Sequence, residues 1–284
     1  MLFRKILIPV DFTDCSERAI RKAIELSEPT SSVIALLYIA RPLFSLDIFS
    51  STGYLITPAT ELLFESEIRE KIKEYEVLAA KNSSGIKFKT IISESGRIQN
   101  KIEKVARLFD PDLIIICKRK SFWSFSNIIF PGRIAKRTNS PVLTIQQGSA
   151  GVGIKNIVLP VTHKVPFRKL DMAISLAKKF NANIHLMTFP DFVPGESNME
   201  KAFIDSYYNI KKNTSLIIKH GALKGQDIAR AILNYSKSIN ADIILASPQS
   251  ESDVHLITGN RHISDLLPRD SSIQVLDVEP YAYT

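Results

Sequence analysis

Lys5-Ile6-Leu7-Ile8-Pro9-Val10-Asp11-Phe12-Thr13 is an apolar run that ends in a turn with an acidic residue, and it returns as Lys155-Asn156-Ile157-Val158-Leu159-Pro160-Val161-Thr162-His163. Two further phrases recur in the same order. Pro111-Asp112-Leu113-Ile114-Ile115-Ile116-Cys117 returns as Ala241-Asp242-Ile243-Ile244-Leu245-Ala246-Ser247, and Pro141-Val142-Leu143-Thr144-Ile145 returns as Ser272-Ile273-Gln274-Val275-Leu276. Ordered recurrence of this kind marks a tandem duplication. It predicts one domain over 1–148 and a second over 152–284, with Gly151-Val152-Gly153 as the linker. Between the first and second phrases the second copy is shorter by roughly 20 residues, and both copies keep an ordinary domain size.

Composition narrows the class. The chain is 45% hydrophobic and 23% charged, which suits a globular core. It holds no run of about 20 apolar residues that would cross a bilayer. The start, Met1 to Lys5, leads into a strand without a signal-peptide layout, so a cytoplasmic protein with no membrane association is expected. The two cysteines, Cys15 and Cys117, fit a reducing compartment with no disulfide framework, and Cys117 reads as a passive thiol. The net charge of +8 is spread over mixed-charge helical faces, so nucleic acid is not the expected partner.

Each copy alternates strand and helix. In the first, strands are predicted over 6–10, 33–40, 88–93, 113–116 and 142–145, with a helix capped by Thr13 or Asp14 and further helices over 61–80, 99–109 and 127–137. The last helix is expected to be interrupted at Pro131-Gly132. In the second, strands are predicted over 157–161, 183–188, 215–219, 243–246 and 273–276, with helices over 170–180, 198–212 and 226–238. Fully apolar strands suit burial on both faces of a parallel sheet. The expected class is α/β: two tandem five-stranded parallel sheets with helices on both faces. Ligands on such sheets sit at the carboxyl ends of the strands, near the topological switch point.

The Pro-Val-Asp that ends strand one, the apolar second strand, the Asp-Leu-Ile-Ile-Ile phrase and the terminal Pro-Val-Leu together resemble the universal stress protein family, in both halves. The resemblance implies an adenine nucleotide alpha hydrolase-like fold with strand order 3-2-1-4-5 in each half. It implies pairing through the last strands, so that the two copies form an intramolecular pseudo-dimer, with further homodimerisation open. It also implies ATP binding. In that family an Asp after strand one and residues after strand two hold the adenosine. A Gly-x2-Gly-x9-Gly-Ser/Thr loop after strand four holds the phosphates, since glycine lets backbone amides turn toward an anion.

The chain departs from that loop twice. In the first copy Pro9, Val10 and Asp11 match and Ile39 stands at the adenine side. Cys117 and Lys120 replace the first two loop glycines, and Gly132-Arg133 approximates the final pair. In the second copy Pro160 and Val161 match, Thr162 replaces the Asp, Ser247 and Ser250 replace the glycines, and Gly259-Asn260 is the remnant of the final pair. Lys118, Arg119, Lys120 and Arg133 supply charge where phosphates would lie, and either attract an anion or solvate the loop. Phe122, Trp123 and Phe125 beside them either fill the crevice or form a contact patch. All five histidines are in the second copy. His185 falls in a strand and reads as a core residue, while His163, His255 and His262 are at most a weak metal or phosphate cluster.

These readings predict a non-enzymatic stress-response regulatory or binding protein with degenerate ATP-binding loops and an unidentified protein partner. The alternatives are an ATP or AMP sensor, with Mg and at most weak ATPase activity, using the first domain, and an anion or nucleic-acid binder using loop 118–125. No catalytic residue and no metal ligand is assigned.

Overall fold

The computed structural model describes residues 3–11, 13–39, 66, 69–70, 72–77, 85–94, 96–118, 129–146, 148, 153–162, 164–189, 197–224, 227–247, 263–268 and 270–280. Among them are ten strands in one sheet. In chain order the elements are β1 (Lys5–Val10), α1 (Asp14–Leu26), β2 (Ser32–Ile39), β3 (Ile86–Ser93), α2 (Ile98–Phe109), β4 (Leu113–Lys118), α3 (Pro131–Thr138) and β5 (Val142–Gln146). The second half follows with β6 (Asn156–Pro160), α4 (Phe167–Phe180), β7 (Asn183–Thr188), α5 (Ser197–Asn213), β8 (Ile218–Ala222), α6 (Ile228–Ser238), β9 (Ile243–Ala246), α7 (Ile263–Leu266) and β10 (Gln274–Asp277).

The spatial order is β3-β2-β1-β4-β5-β10-β9-β6-β7-β8, so each half repeats the expected 3-2-1-4-5 arrangement. Pairing within each half is parallel. β5 and β10 pair antiparallel, with Val142 opposite Asp277, Leu143 opposite Leu276 and Thr144 opposite Val275.

Strand periodicity sorts the core into layers. Ile6, Ile8 and Val10 of β1 face one side, where they pack with Ala19, Ile20, Ala23 and Leu26 of α1. Ile157 and Leu159 of β6 join the same cluster beneath Leu170, Ala173, Ile174 and Ala177 of α4, so one core is continuous across both halves. The opposite face carries two separate cores. Leu7, Ile114 and Ile116 meet α2 and α3, while Val158, Ile244 and Ala246 meet α6 and α7. The ends of α1 and α4 also touch: the Lys179 ammonium donates to the Glu25 carbonyl, and the Gly153 amide donates to the Glu25 carboxylate at 2.5 Å.

The repeated aspartate has a structural reason. Asp112 Oδ2 accepts the amides of Arg4 and Lys5, both at 2.9 Å, and ties the start of β1 to the start of β4. Asp242 Oδ2 does the same for Lys155 at 2.7 Å and Asn156 at 2.9 Å. Helix exits repeat as well. Asp110, Asn139, Asn181 and Asn240 all adopt positive φ near 50°, where short polar side chains are the non-glycine residues best tolerated.

Four sequence expectations need correction. Pro131-Gly132 does not interrupt a helix but opens α3, because the missing proline N–H is one that the first turn leaves unpaired anyway. β8 lies three residues later than its apolar run suggests, since its register comes from pairing Ile184 with Ile218 along an exposed edge. Thr13 precedes α1 but makes no side-chain cap bond. Cys15 and Cys117 are joined as a disulfide rather than free, with Cα atoms 5.5 Å apart. The first turn of α1 packs over the end of β4, a proximity that a separation of 102 residues conceals. Of the long helix expected over 61–80, residues 66, 69–70 and 72–77 are described, and these are helical.

His185 is 1% exposed, in β7. Its ring nitrogens contact Tyr235 Oη at 2.8 Å and Asn156 Oδ1 at 3.2 Å. Burial, helped by the charge of Lys219, pushes its pKa down to about 4. The unfolded chain, with an ordinary histidine near 6.5, then binds the proton first as pH falls. Stability from this site is therefore complete above about pH 6.5 and is lost progressively down to about pH 4. His185→Gln should flatten the pH dependence of Tm across that window. In the repeated clamp, Asp242→Ala should lower stability by about 1–3 kcal/mol, read as a urea midpoint shift at unchanged m-value, because two strand amides lose a charged acceptor.

Candidate functional site

The sheet topology brings the carboxyl ends of β1 and β4 together at the switch point of the first half. Pro9 and Val10 end β1, and Asp11 follows, exposed. Its carboxylate turns back on the entry to α1. Oδ1 accepts the Thr13 hydroxyl at 2.6 Å, the Ser16 hydroxyl at 2.8 Å and the Thr13 amide at 3.2 Å. The Asp11 amide in turn donates to Ser16 Oγ at 2.9 Å. Thr13 thus supports Asp11 instead of capping the helix, and Ser16, which the sequence reading did not single out, completes the turn. The surroundings are acidic: the Tyr75 hydroxyl is held above its ordinary pKa, first by burial and then by Glu17, Glu74, Asp11 and Asp14.

The opposite wall is the end of β4. Cys117 is bonded to Cys15, which is buried at the second position of α1. Lys118 is not simply a solvated loop charge, because its ammonium donates to the Ser264 carbonyl of α7 at 3.2 Å. Ile39, the last residue of β2, is half-buried and packs on the α2–α3 core. Gly132 and Arg133 lie in the first turn of α3, with Arg133 exposed. That turn is held from behind. Gln99 Oε1 accepts the Phe130 amide at 3.2 Å, and buried Glu103 accepts from Gln99 at 2.8 Å and from Arg137 at 3.1 Å. The structure therefore groups Pro9, Val10, Asp11 and Cys117 around one crevice. Lys120, with Arg119, Phe122, Trp123 and Phe125, lies outside the described residues.

The second crevice has a different chemistry. Pro160 and Val161 are buried at the end of β6, and Thr162, in the place of Asp11, is 8% exposed. Lys169 holds the third position of α4, as Ser16 does in α1. It is 4% exposed, and its ammonium donates to the Pro160 carbonyl at 3.1 Å. A carboxylate–hydroxyl turn in one half is thus replaced by a buried cation on a strand end in the other. Buried Ser247 lines a cavity of about 120 Å³ together with Arg168, Lys169 and Glu279. Burial holds the Glu279 carboxyl above its ordinary pKa, against the pull of Lys136 and Arg168. Arg168 is itself tied to Asn139 Oδ1 and to the Glu279 carbonyl, so it bridges the two halves. Ser250, Gly259 and Asn260 lie outside the described residues, as do His163, His255 and His262. His220 packs edge-on against Phe203 and Tyr207. Among the described residues no group of three His, Cys, Asp or Glu is placed to hold a metal, and no helix is long and apolar enough to cross a membrane.

Among curated proteins none matches the chain. Among solved structures it is similar to a universal stress protein from Archaeoglobus fulgidus, at 14% identity and a TM-score of 0.65, covering 97% of this chain and 96% of that one. It is similar to a protein of unknown function from Pseudomonas aeruginosa at 15% identity and a TM-score of 0.59, covering 98% and 93%. It is also similar to the cytoplasmic domain of a prokaryotic cation chloride cotransporter at 14% identity and a TM-score of 0.51, covering 96% and 94%. At these identities the likeness is one of fold. The model of the universal stress protein family matches residues 2–145, half of the chain, and shows that this protein belongs to that family.

Proposed function

We propose that the protein is a non-enzymatic regulatory module of the stress response, working through contacts with a protein partner, in which neither half keeps a family-type ATP loop. The observation that carries this reading is that groups of the chain itself engage Asp11 and Cys117 at the strand ends of the first half. Asp11 Oδ1 is engaged by Thr13 and Ser16, and the residue at the first loop-glycine position is bonded to Cys15. An adenosine ribose would have to compete with hydroxyls already in place, which lowers its net gain. In the second half Thr162 is buried and uncharged, and it offers no carboxylate to a ribose. We take the two halves as tandem domains over 1–148 and 152–284, joined as an intramolecular pseudo-dimer. The antiparallel pairing of β5 with β10 supports that reading.

A second reading is an ATP or AMP sensor in the first half, with Mg and at most slow hydrolysis. It is favoured by the exposure of Asp11 at the end of β1, beside Pro9 and Val10. Calorimetric titration of the purified, oxidised protein with ATP and AMP in the presence of Mg separates the two. The expected result is no saturable binding at millimolar nucleotide. Saturation near one site per chain that Asp11→Ala weakens by about tenfold or more, equivalent to about 1.4 kcal/mol, would replace the first reading with the second.

A further inference from the structure

The Cys15–Cys117 bond spans the switch point of the first half, where the family fold would seat a ligand. Cys15 is the second residue of α1 and Cys117 the fifth residue of β4, so the bond joins the two walls of the crevice directly. At a Cα–Cα distance of 5.5 Å no ligand atom fits between them. An atom touching both walls needs about 3.5–4.0 Å on each side. At the start of α1 Thr13 gives no side-chain cap, so the disulfide and the Asp11 turn together hold that first turn. The other wall has independent support. Cys117 and Lys118 pair with Ile145 and Gln146 of β5, and Lys118 is anchored to Ser264 in the second half. If the bond opened, the first turn of α1 would be the part that gives way, taking the Thr13 and Ser16 hydroxyls away from Asp11.

We propose that this disulfide is a redox latch on the first crevice. Oxidised, it holds α1 against β4 and keeps Asp11 engaged in its own turn. Reduced, it releases residues 13–17, and the Thr13 and Ser16 hydroxyls no longer occupy Asp11 Oδ1, where a ligand hydroxyl can replace them. The inference rests on the reading that the protein is a regulatory module in which the chain's own groups engage Asp11 and Cys117 at the strand ends of the first half.

The exchange needs only a low-molecular-weight thiol. Its thiolate attacks the sulfur of half-buried Cys117 in preference to that of buried Cys15, forming a mixed disulfide while Cys15 leaves as thiolate. A second reagent thiol then cleaves the mixed disulfide and departs as the oxidised reagent. Two electrons pass to the protein, and the two reagent protons end on Cys15 and Cys117. The reverse reaction, with a low-molecular-weight disulfide as oxidant, restores the latch. In cytoplasmic proteins of most organisms a disulfide is more often a sensor than a permanent staple.

Hydrogen exchange of the full chain, oxidised and then equilibrated with reduced glutathione, tests the latch without any ligand. Amides 13–17 should exchange about tenfold faster or more once the bond is reduced. Amides of Leu7 and Ile114, in the sheet, should keep their protection, and oxidised glutathione should restore the original rates. The Cys15→Ser, Cys117→Ser double variant should show the fast rates under both conditions. Unchanged exchange at 13–17 after complete reduction would overturn the latch, as would a bond that millimolar glutathione cannot open. Mg-ATP titration of the reduced protein reports separately on the site. Binding that appears only on reduction upholds the latch and replaces the partner-binding reading with the sensor reading. Fast exchange at 13–17 without nucleotide uptake upholds the latch and leaves the partner-binding reading in place.

Discussion

The antiparallel contact between β5 and β10 is the constraint on which the rest of the molecule depends. A five-stranded half standing alone would expose its last strand as an unpaired edge, a ready template for misassociation. Here each half covers the edge of the other, and ten strands form one sheet. Thr144, Gln146, Gln274 and Asp277 are all no more than 3% exposed, although such polar side chains more commonly face solvent. The same join sets α1 and α4 on one face over a shared core and brings their ends into contact through Lys179 and Glu25. The remaining edges, β3 and β8, carry Lys87, Lys89 and Lys219, charges that discourage further strand addition.

The two halves share one frame and differ at the carboxyl ends of their strands. The clamps at Asp112 and Asp242 are the same interaction made twice, each closing the amino end of its first strand against its fourth. At the carboxyl ends the halves part company. One has a carboxylate held by hydroxyls beside a disulfide, the other a buried ammonium on a backbone carbonyl. The amino ends determine whether the strands align, so substitution there costs stability. The carboxyl ends hold different chemistry in the two halves, where binding and specificity more commonly vary.

Contacts across the join tie these ends to each other. Lys118 reaches Ser264, and Arg168 reaches Asn139, so residues bordering each crevice are anchored in the opposite half. A change at one strand end therefore meets a direct polar contact to the other half rather than a long chain of packed side chains.

Much of this was legible in the residues. Apolar runs separated by helical patterns marked the strands. Their ordered recurrence marked two copies, and the alternation pointed to a parallel sheet. The Asp after Val10 marked the residue that follows β1 at the switch point. Three features could not be read in this way. The register of β8 comes from its neighbour β7, the partner of Asp11 is a serine five residues on, and Cys15 meets Cys117 across 102 residues. Period and composition determine which segments become strands and helices, because those choices rest on local sterics and on the burial of one face. Which side chains meet at the strand ends was decided only by tertiary packing, because those contacts depend on how α1 lies over β4, and no spacing along the chain encodes that.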